Sequence, residues 1–276
     1  MSKFAQAVPV LMYHHVNPNS GLVTMSPKTF TDHMGYLARA GYTTLTADQF
    51  LEFLQGSYQA PAKSVLITFD DGYLDNYVYA YPTLRAFGLH AVIFCVTGWL
   101  SDGKPRNHAG ENTALPICPD HSACKQAIAA GRTDEVMLRW SEVQRMFDDG
   151  TIEIHSHTHT HTRWDKMIPD VDKRSQQLAQ DLSESQQILL SRLGKQSTHL
   201  CWPQGYFDAD YQATATRLGF VAQYTTSQHA NTRNTTPNHI GRFVTKDLPA
   251  TWLANRLVLY SSPILGSLYY RLRSAL

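Results

Sequence analysis

The chain has 276 residues, 43% of them hydrophobic, which is enough to bury the core of one large α/β domain. Its 24 basic and 23 acidic residues give a formal net charge of +1, and this balance argues against a nucleic-acid partner. The sequence has no signal-peptide pattern and no apolar run long enough to span a bilayer, so we expect a cytoplasmic protein.

The predicted elements alternate, in chain order, between short apolar strands and amphipathic helices that end at a glycine. A first strand covers residues 8–12, and a strand typical of a buried sheet covers residues 64–69. Ser26 followed by a proline predicts the start of the first helix, and Ser141 with Gln144 predicts a capping box for a later one. Five helices are predicted to end, each just before a strand, at Gly41, Gly88, Gly150, Gly194 and Gly219.

This alternation predicts parallel strand pairing, because parallel neighbours need a long and usually helical connection. An α/β barrel and an open sheet both satisfy the pattern. Three polar stretches directly follow predicted strands, at residues 70–72, 155–161 and 201–205. Since active sites of parallel α/β folds lie at the carboxyl ends of the strands, we expect these stretches to meet in one active-site cavity at that end of the sheet.

The first polar stretch carries two adjacent carboxylates, Asp70 and Asp71, followed by a glycine. Neighbouring residues that leave a strand point in different directions, so one carboxylate can ligate a metal while the other faces a bound water. A simple turn is the alternative, because Asp-Asp-Gly is common in turns and occurs again at residues 148–150.

The second polar stretch places four histidines at alternate positions, His155, His157, His159 and His161. Neutral imidazole is the commonest nitrogen ligand of divalent metals. Two histidines with one carboxylate leave coordination positions open for water and substrate, as a hydrolytic metal needs. A solvated histidine tract on the surface is the alternative.

The runs at residues 68–72 (Thr-Phe-Asp-Asp-Gly) and 157–161 (His-Thr-His-Thr-His) resemble the first two motifs of the polysaccharide deacetylases, carbohydrate esterase family 4, also called the NodB-homology family. Residues 10–16 (Val-Leu-Met-Tyr-His-His-Val) resemble the first strand of the branch that includes poly-N-acetylglucosamine deacetylases. The resemblance implies a single α/β domain over residues 1–276, built as a distorted (β/α) barrel of about seven parallel strands. A loop insertion over about 101–139 and a helical tail over about 248–276 complete this prediction.

Carried over to this sequence, the resemblance makes Asp70 the catalytic base and makes Asp71, His157 and His161 the metal ligands. A second register, with His155 and His159 as ligands, fits the same pattern; the glycine that relatives commonly have at the position of His155 favours the later pair. The implied cofactor is a divalent metal ion, zinc in the first place, with nickel, cobalt or iron(II) as alternatives.

The third family motif, Arg-x-Pro-Tyr-Gly, corresponds to residues 201–205 (Cys-Trp-Pro-Gln-Gly). The backbone N–H of Gln204 can serve at the oxyanion, since this role requires no particular side chain. Because Cys201 replaces the arginine, Asp70 is expected to lack the positive charge that orients it in relatives. Trp202 is either a wall that stacks on sugar or a core aromatic.

The later family motifs are not visible, so the general acid stays open between two histidines. His239 precedes the last predicted strand, and His14 lies beside the expected metal site, where it could also contact substrate. The alternative for each is an ordinary surface histidine with no role in catalysis.

The function that follows is that of a hydrolase of C–N bonds other than peptide bonds. It would remove an N-acetyl group, or less readily an O-acetyl group, from an N-acetylated sugar or oligosaccharide, free or lipid-linked, during polysaccharide or lipopolysaccharide assembly. The alternatives are a non-catalytic glycan-binding protein on the same fold and another metal-dependent amidohydrolase. The apolar and basic tail from residue 252 onward predicts either a packed terminal helix or peripheral contact with the inner face of a membrane.

Overall fold

The computed structural model describes residues 3–111 and 113–274. Its strands are β1 (Val10–Tyr13), β2 (His15–Val16), β3 (Thr24–Met25), β4 (Thr43–Thr44), β5 (Ser64–Asp71), β6 (Ala91–Cys95), β7 (Ile152–Ser156), β8 (His199–Cys201), β9 (Ala222–Tyr224) and β10 (Phe243–Val244). Its helices are α1 (Pro27–Arg39), α2 (Ala47–Gln55), α3 (Tyr81–Phe87), α4 (His121–Ala129), α5 (Trp140–Asp148), α6 (Trp164–Met167), α7 (Val171–Leu193), α8 (Ala209–Arg217), α9 (Ala250–Tyr260) and α10 (Pro263–Ser274).

Seven strands form one parallel sheet in the order β10-β1-β5-β6-β7-β8-β9, and β4 pairs with the start of β5. Every residue of β5 and β6 is buried, as expected of central strands of a parallel sheet that is packed on both faces. The sheet curls into a half-barrel with the helices around it. The predicted α/β class and distorted barrel of about seven parallel strands are therefore confirmed.

One short segment joins the two edges of the curled sheet. Ile240 forms a parallel bridge with Tyr224 of β9, and three residues later Phe243 pairs with Leu11 of β1. Arg242 lies between these two pairings and is fully buried. Because alternate residues of extended backbone share a face, Ile240 and Arg242 both point into the barrel.

The five glycines that were predicted to end helices all have left-handed φ values, between 62° and 87°. The predicted start of α5 was wrong. The helix begins at Trp140, and the Glu142 carboxylate accepts the Arg139 backbone N–H at 2.9 Å, so the capping glutamate lies two residues before Gln144. The Ser141 side chain is inside the helix, and its buried hydroxyl has no hydrogen-bond partner among the residues that the structure describes.

The stretch over residues 101–139 contains helix α4 and is anchored to the barrel at both ends. The Arg106 guanidinium donates twice to the fully buried Glu142 carboxylate, each bond being 2.8 Å long. Asn17 donates from Nδ2 to the carbonyl of Pro119 at 2.9 Å. Cys124 and Ala127 of α4 pack in an apolar cluster with Tyr73. The stretch therefore forms a fixed wall over the sheet.

The tail begins as a packed helix. Leu253 and Leu257 of α9 are fully buried, and the Tyr260 ring stacks on Phe243 with centroids 4.7 Å apart. The following helix exposes Ile264 at 80% of its surface. The predicted tail ends with residues 275–276, outside the described residues, and its predicted membrane contact stays a prediction. Within the described ranges, no helix has the length and apolarity to cross a bilayer.

Candidate metal centre and catalytic site

A cavity of about 590 Å³ opens where the carboxyl ends of β5, β7 and β8 meet. Six of the eight side chains that the sequence nominated line this cavity: His14, Asp70, Asp71, His157, His161 and Gln204. His239 and Trp202 do not line it.

Asp71, His157 and His161 form the centre of the cavity floor. The Asp71 Oδ1 atom lies 3.3 Å from His157 Nε2 and 3.4 Å from His161 Nε2. The three candidate ligand atoms all lie within 4.8 Å of one another. Asp71 Oδ1 is buried and has no hydrogen-bond partner in the described structure, which is costly unless another group compensates it.

The hydrogen-bonding of His157 shows that these residues fit a divalent cation. Its Nδ1 atom lies 2.8 Å from the Cys201 carbonyl oxygen, and a carbonyl can only accept, so Nδ1 carries the hydrogen. In the neutral ring Nε2 then has a lone pair, aimed at the lone pairs of Asp71 Oδ1. A cation held between the two atoms would compensate both lone pairs, and a backbone carbonyl on the other ring nitrogen is the usual support of a metal-binding histidine.

Asp71 is ionised at neutral pH, as a metal ligand must be. Burial by itself raises the pKa of this carboxyl, but the neighbouring imidazoles of His157 and His161 favour its charged form and outweigh burial. The pKa of Asp71 is therefore held well below its usual range.

Asp70 is paired with a residue that sequence reasoning missed. The Arg242 guanidinium binds the carboxylate with both ends, Nη1 to Oδ1 at 2.6 Å and Nη2 to Oδ2 at 2.8 Å. Arg242 Nη2 also lies 3.0 Å from Cys201 Sγ. The expectation that Asp70 lacks an orienting positive charge was wrong, because Arg242 reaches the same carboxylate from the segment that joins the edges of the sheet.

This ion pair sets the charge of Asp70. Burial raises the pKa of the carboxyl, but the charge and hydrogen bonds of Arg242 outweigh it, so the pKa of Asp70 lies below its ordinary value. Asp70 is therefore a carboxylate at neutral pH, which is the form that can accept a proton.

The profile of the family described as polysaccharide deacetylase matches residues 57–223, more than half of the chain. This chain belongs to the polysaccharide deacetylase family. The predicted family and the predicted class of hydrolase are thereby confirmed. The deacetylase is 28% identical over 227 residues to YxkH of Bacillus subtilis, whose name assigns it to the polysaccharide deacetylases; the alignment covers 82% of this chain and 67% of YxkH.

Other relatives match parts of the chain or its fold. The poly-beta-1,6-N-acetyl-D-glucosamine N-deacetylase of Escherichia coli K12 is 28% identical over 93 residues, which are 33% of this chain and only 14% of that enzyme. IcaB of Ammonifex degensii superimposes with a TM-score of 0.71 at 21% identity, covering 94% of this chain and 98% of IcaB. A de-N-acetylase of Aggregatibacter actinomycetemcomitans gives 0.71 at 23%, covering 90% and 99%. At these identities the structures show that the fold is shared.

The deacetylase holds His155 and His159 away from the candidate metal ligands. His155 Nδ1 lies 3.2 Å from Ser197 Oγ, and the ring packs against His199 near the opposite end of the barrel. His159 Nδ1 lies 3.0 Å from Thr97 Oγ1. The geometry thus brings the later histidine pair, and not the earlier register, to Asp71.

The two candidate general acids have different positions in the deacetylase. His14 lines the cavity, with Nε2 3.8 Å from Asp70 Oδ2. His239 lies outside the cavity, with Nε2 3.1 Å from Ser227 Oγ and its ring against Phe207. His239 closes a turn just before Ile240, with its backbone N–H donating to the Thr236 carbonyl at 2.9 Å.

The residues of the third motif also divide between cavity and core. Gln204 lines the cavity, and its left-handed φ of 55° turns the backbone sharply after β8. Trp202 is 1% exposed and donates from Nε1 to Gln223 Oε1 at 3.2 Å, so it belongs to the core and is not a sugar-stacking wall. The aromatic wall is Trp99, in the turn after β6, whose ring centroid lies 5.1 Å from that of His161.

Strained backbone in the deacetylase concentrates at this cavity. Among the described residues, five that are not glycine have a left-handed φ, and four of these line the cavity: Val23, Asp71, His161 and Gln204. Non-glycine residues avoid this conformation unless the surrounding structure holds them in it, and such residues cluster at functional sites. The ligand positions are therefore fixed by the fold before any ligand binds.

Asp181 of α7 holds the loop that carries His161. Its carboxylate is 4% exposed and accepts four hydrogen bonds, from the backbone N–H groups of His159 and Thr160, the Thr160 hydroxyl and Trp164 Nε1, at 2.7 to 2.9 Å. The sequence carries a signal for this residue. Asp181 lies at helical spacing among Leu178, Leu182 and Leu189, on the face of α7 that is predicted to be buried.

We expect Asp181→Asn to weaken metal binding by about 10–100-fold, the usual effect of removing a group that supports a metal ligand. The amide replaces one acceptor oxygen with a donor, which faces N–H groups that also donate. The measurement is the zinc dissociation constant by competition with a chelating dye. Asp172→Asn, on the exposed first turn of the same helix, is the control. Equal zinc affinity in both variants would show that Asp181 does not position the loop.

Proposed function

We propose that this chain hydrolyses the N-acetyl amide of an N-acetylated oligosaccharide or polysaccharide, with Asp70 as the base and with Asp71, His157 and His161 holding a divalent cation, zinc in the first place. The observation that carries the proposal is the unpaired, buried Asp71 Oδ1, which faces two imidazoles beside a second carboxylate that Arg242 keeps ionised. The name of the Escherichia coli relative supports N-acetylglucosamine as the sugar.

The chain's own residues divide the work of the reaction. Bound at the three ligands, a divalent cation would supply a Lewis acid for the acetyl carbonyl and the attacking water. Asp70 accepts the proton of the water as it attacks, while Arg242 holds the carboxylate in one orientation. The backbone N–H of Gln204, on the cavity wall, is placed to donate to the oxyanion.

His14 is the residue that we assign to the leaving nitrogen. Its Nε2 lies 3.8 Å from Asp70 Oδ2. A small approach of the two side chains when substrate binds would let His14 receive the proton that Asp70 has taken from water. Burial, more than any other cause, lowers the pKa of His14, so the ring is neutral before it receives that proton and can release it readily to the amine.

The test is the metal content of the purified protein together with acetate release from N-acetylglucosamine oligomers. We expect one bound divalent ion, loss of acetate release on chelation, and its recovery with zinc. Removing His157, which supplies a ligand nitrogen, should abolish stoichiometric binding and turnover.

His159→Ala is the matched control for His157→Ala, because its imidazole lies on the same loop but contacts Thr97. Loss of metal in the His159 variant with retention in the His157 variant would place the ligands in the other register. A metal-loaded protein that releases no acetate from any N-acetylated sugar would refute the proposed function.

A further inference from the structure

A row of three side chains leads from the barrel to the wall of the cavity. Asp75 Oδ2 lies 2.7 Å from His15 Nδ1, and His15 Nε2 lies 3.2 Å from His121 Nδ1. Asp75 and His15 are 2% and 1% exposed, whereas His121, the first residue of α4, lines the same cavity as Asp70. None of these three side chains takes part in the proposed hydrolysis.

The Asp75 carboxylate fixes the hydrogen on His15. Asp75 also accepts the backbone N–H of Val16 at 3.3 Å and the side-chain amides of Asn17 and Asn76 at 3.1 and 3.0 Å. A carboxylate held by so many donors can only accept, so the hydrogen of the shortest bond sits on His15 Nδ1. The His15 ring is further held by stacking on Tyr73, with centroids 3.8 Å apart.

The hydrogen on His15 Nδ1 determines what His121 presents to the cavity. With the hydrogen of its ring on Nδ1, His15 keeps a lone pair on Nε2, so His121 Nδ1 donates the hydrogen of the bond between the rings. Burial, the largest cause, lowers the pKa of His121, so its ring is neutral near pH 7. The remaining nitrogen, His121 Nε2, is then a hydrogen-bond acceptor at the cavity wall.

The surroundings of His121 suit an uncharged sugar. Ile128 on the same helix and Trp99 in the turn after β6 give the cavity apolar and aromatic surface, on which the faces of sugar rings pack. Lys125, one turn after His121, also lines the cavity, and its positive charge disfavours a sugar that carries a free ammonium group. A hydroxyl of an acetylated sugar is the donor that matches a neutral acceptor here.

We propose that His121 is a substrate-binding residue whose Nε2 accepts a hydrogen bond from a hydroxyl of an uncharged N-acetylated sugar, and that Asp75 and His15 set the tautomer that makes this possible. The inference rests on the proposed function, because it names a contact of the same substrate. It assigns to the stretch over residues 101–139 a direct role in choosing that substrate.

The first test separates sugar binding from metal chemistry. For the N-acetylglucosamine pentamer, His121→Ala should raise KM by about three- to tenfold, the usual effect of losing one neutral hydrogen bond, with kcat little changed. Hydrolysis of p-nitrophenyl acetate, which has no sugar, should be unaffected. His121→Gln, whose amide oxygen can accept, should recover part of the affinity, and Gln126→Ala, on the exposed side of α4, is the control. An unchanged KM, or an equal loss with p-nitrophenyl acetate, would overturn the proposal.

The second test does not depend on turnover. With nitrogen-15 histidine in the Asp70→Asn background, which leaves the pentamer intact, His121 Nε2 should resonate as an unprotonated ring nitrogen and shift when the pentamer is added. A protonated Nε2, or a resonance that the pentamer does not move, overturns the inference. Failure of the proposed function has a different signature, since wild-type protein would then release no acetate whatever the nitrogen resonances show.

Discussion

Asp70→Asn is expected to lower kcat for acetate release by about 10²–10⁴, the range that general base catalysis contributes. The amide is nearly the same shape as the carboxylate but cannot take a proton from water. Because the ligands Asp71, His157 and His161 are untouched, the bound metal should stay stoichiometric. The measurements are steady-state acetate release and metal content on the same preparation.

Asp148→Asn is the control for this substitution, because Asp148 opens the second Asp-Asp-Gly run of the chain and contacts only Gln144 among the side-chain bonds of the described residues. It should leave kcat unchanged. An Asp70→Asn protein that keeps its turnover would move the base to another residue. One that loses its metal would show that Asp70 is a ligand.

Arg242→Met is expected to destabilise the fold by about 3–5 kcal/mol, the effect of removing one partner from a buried ion pair. Arg242 has a fully buried side chain and its partner Asp70 is only 4% exposed, so the side of the carboxylate that faces Arg242 is shielded from solvent. Urea unfolding of wild type and variant measures the difference. The same variant should lose kcat, because Asp70 is no longer held in one orientation.

The double variant Arg242→Met with Asp70→Asn distinguishes a buried charge from lost packing. Removing both charges should restore most of the stability that the single variant loses, since the amide leaves no uncompensated charge. If the double variant is as unstable as Arg242→Met alone, the loss comes from the shape of the arginine side chain. A loss below about 1 kcal/mol in the single variant would mean that water takes the place of the guanidinium beside Asp70.

The parts of the fold that the sequence predicted are those decided by neighbouring residues. Helix ends at glycine, the buried run before Asp70 and the alternation of strands and helices all depend on local geometry. The same holds for the proximity of Asp71 to His157 and His161, because each group directly follows a strand and the strands of a parallel sheet end on one side. The local patterns at the ends of two strands were therefore enough to predict that these distant residues lie close together.

The contacts that the sequence did not predict depend on how the chain closes in space. Arg242 is 172 residues from Asp70, and it reaches the carboxylate only because the segment around it joins both edges of the sheet. Trp202 and Trp99 each follow a short strand, and periodicity over three to five residues does not say which ring faces the cavity. The His121 contact with His15 requires the whole stretch over residues 101–139 to fold back across the barrel.

The seam between β9 and the segment that leads into β10 affects both the stability of the sheet and the orientation of the Asp70 carboxylate. Regular pairing there is short, with a single bridge between Ile240 and β9 and the two-residue β10 against β1, although four backbone hydrogen bonds also join residues 223–227 to residues 237–242. Opening of this seam would withdraw the guanidinium from Asp70 while the central strands stay intact. Loss of activity at a lower temperature than unfolding of the barrel would show that the seam opens first.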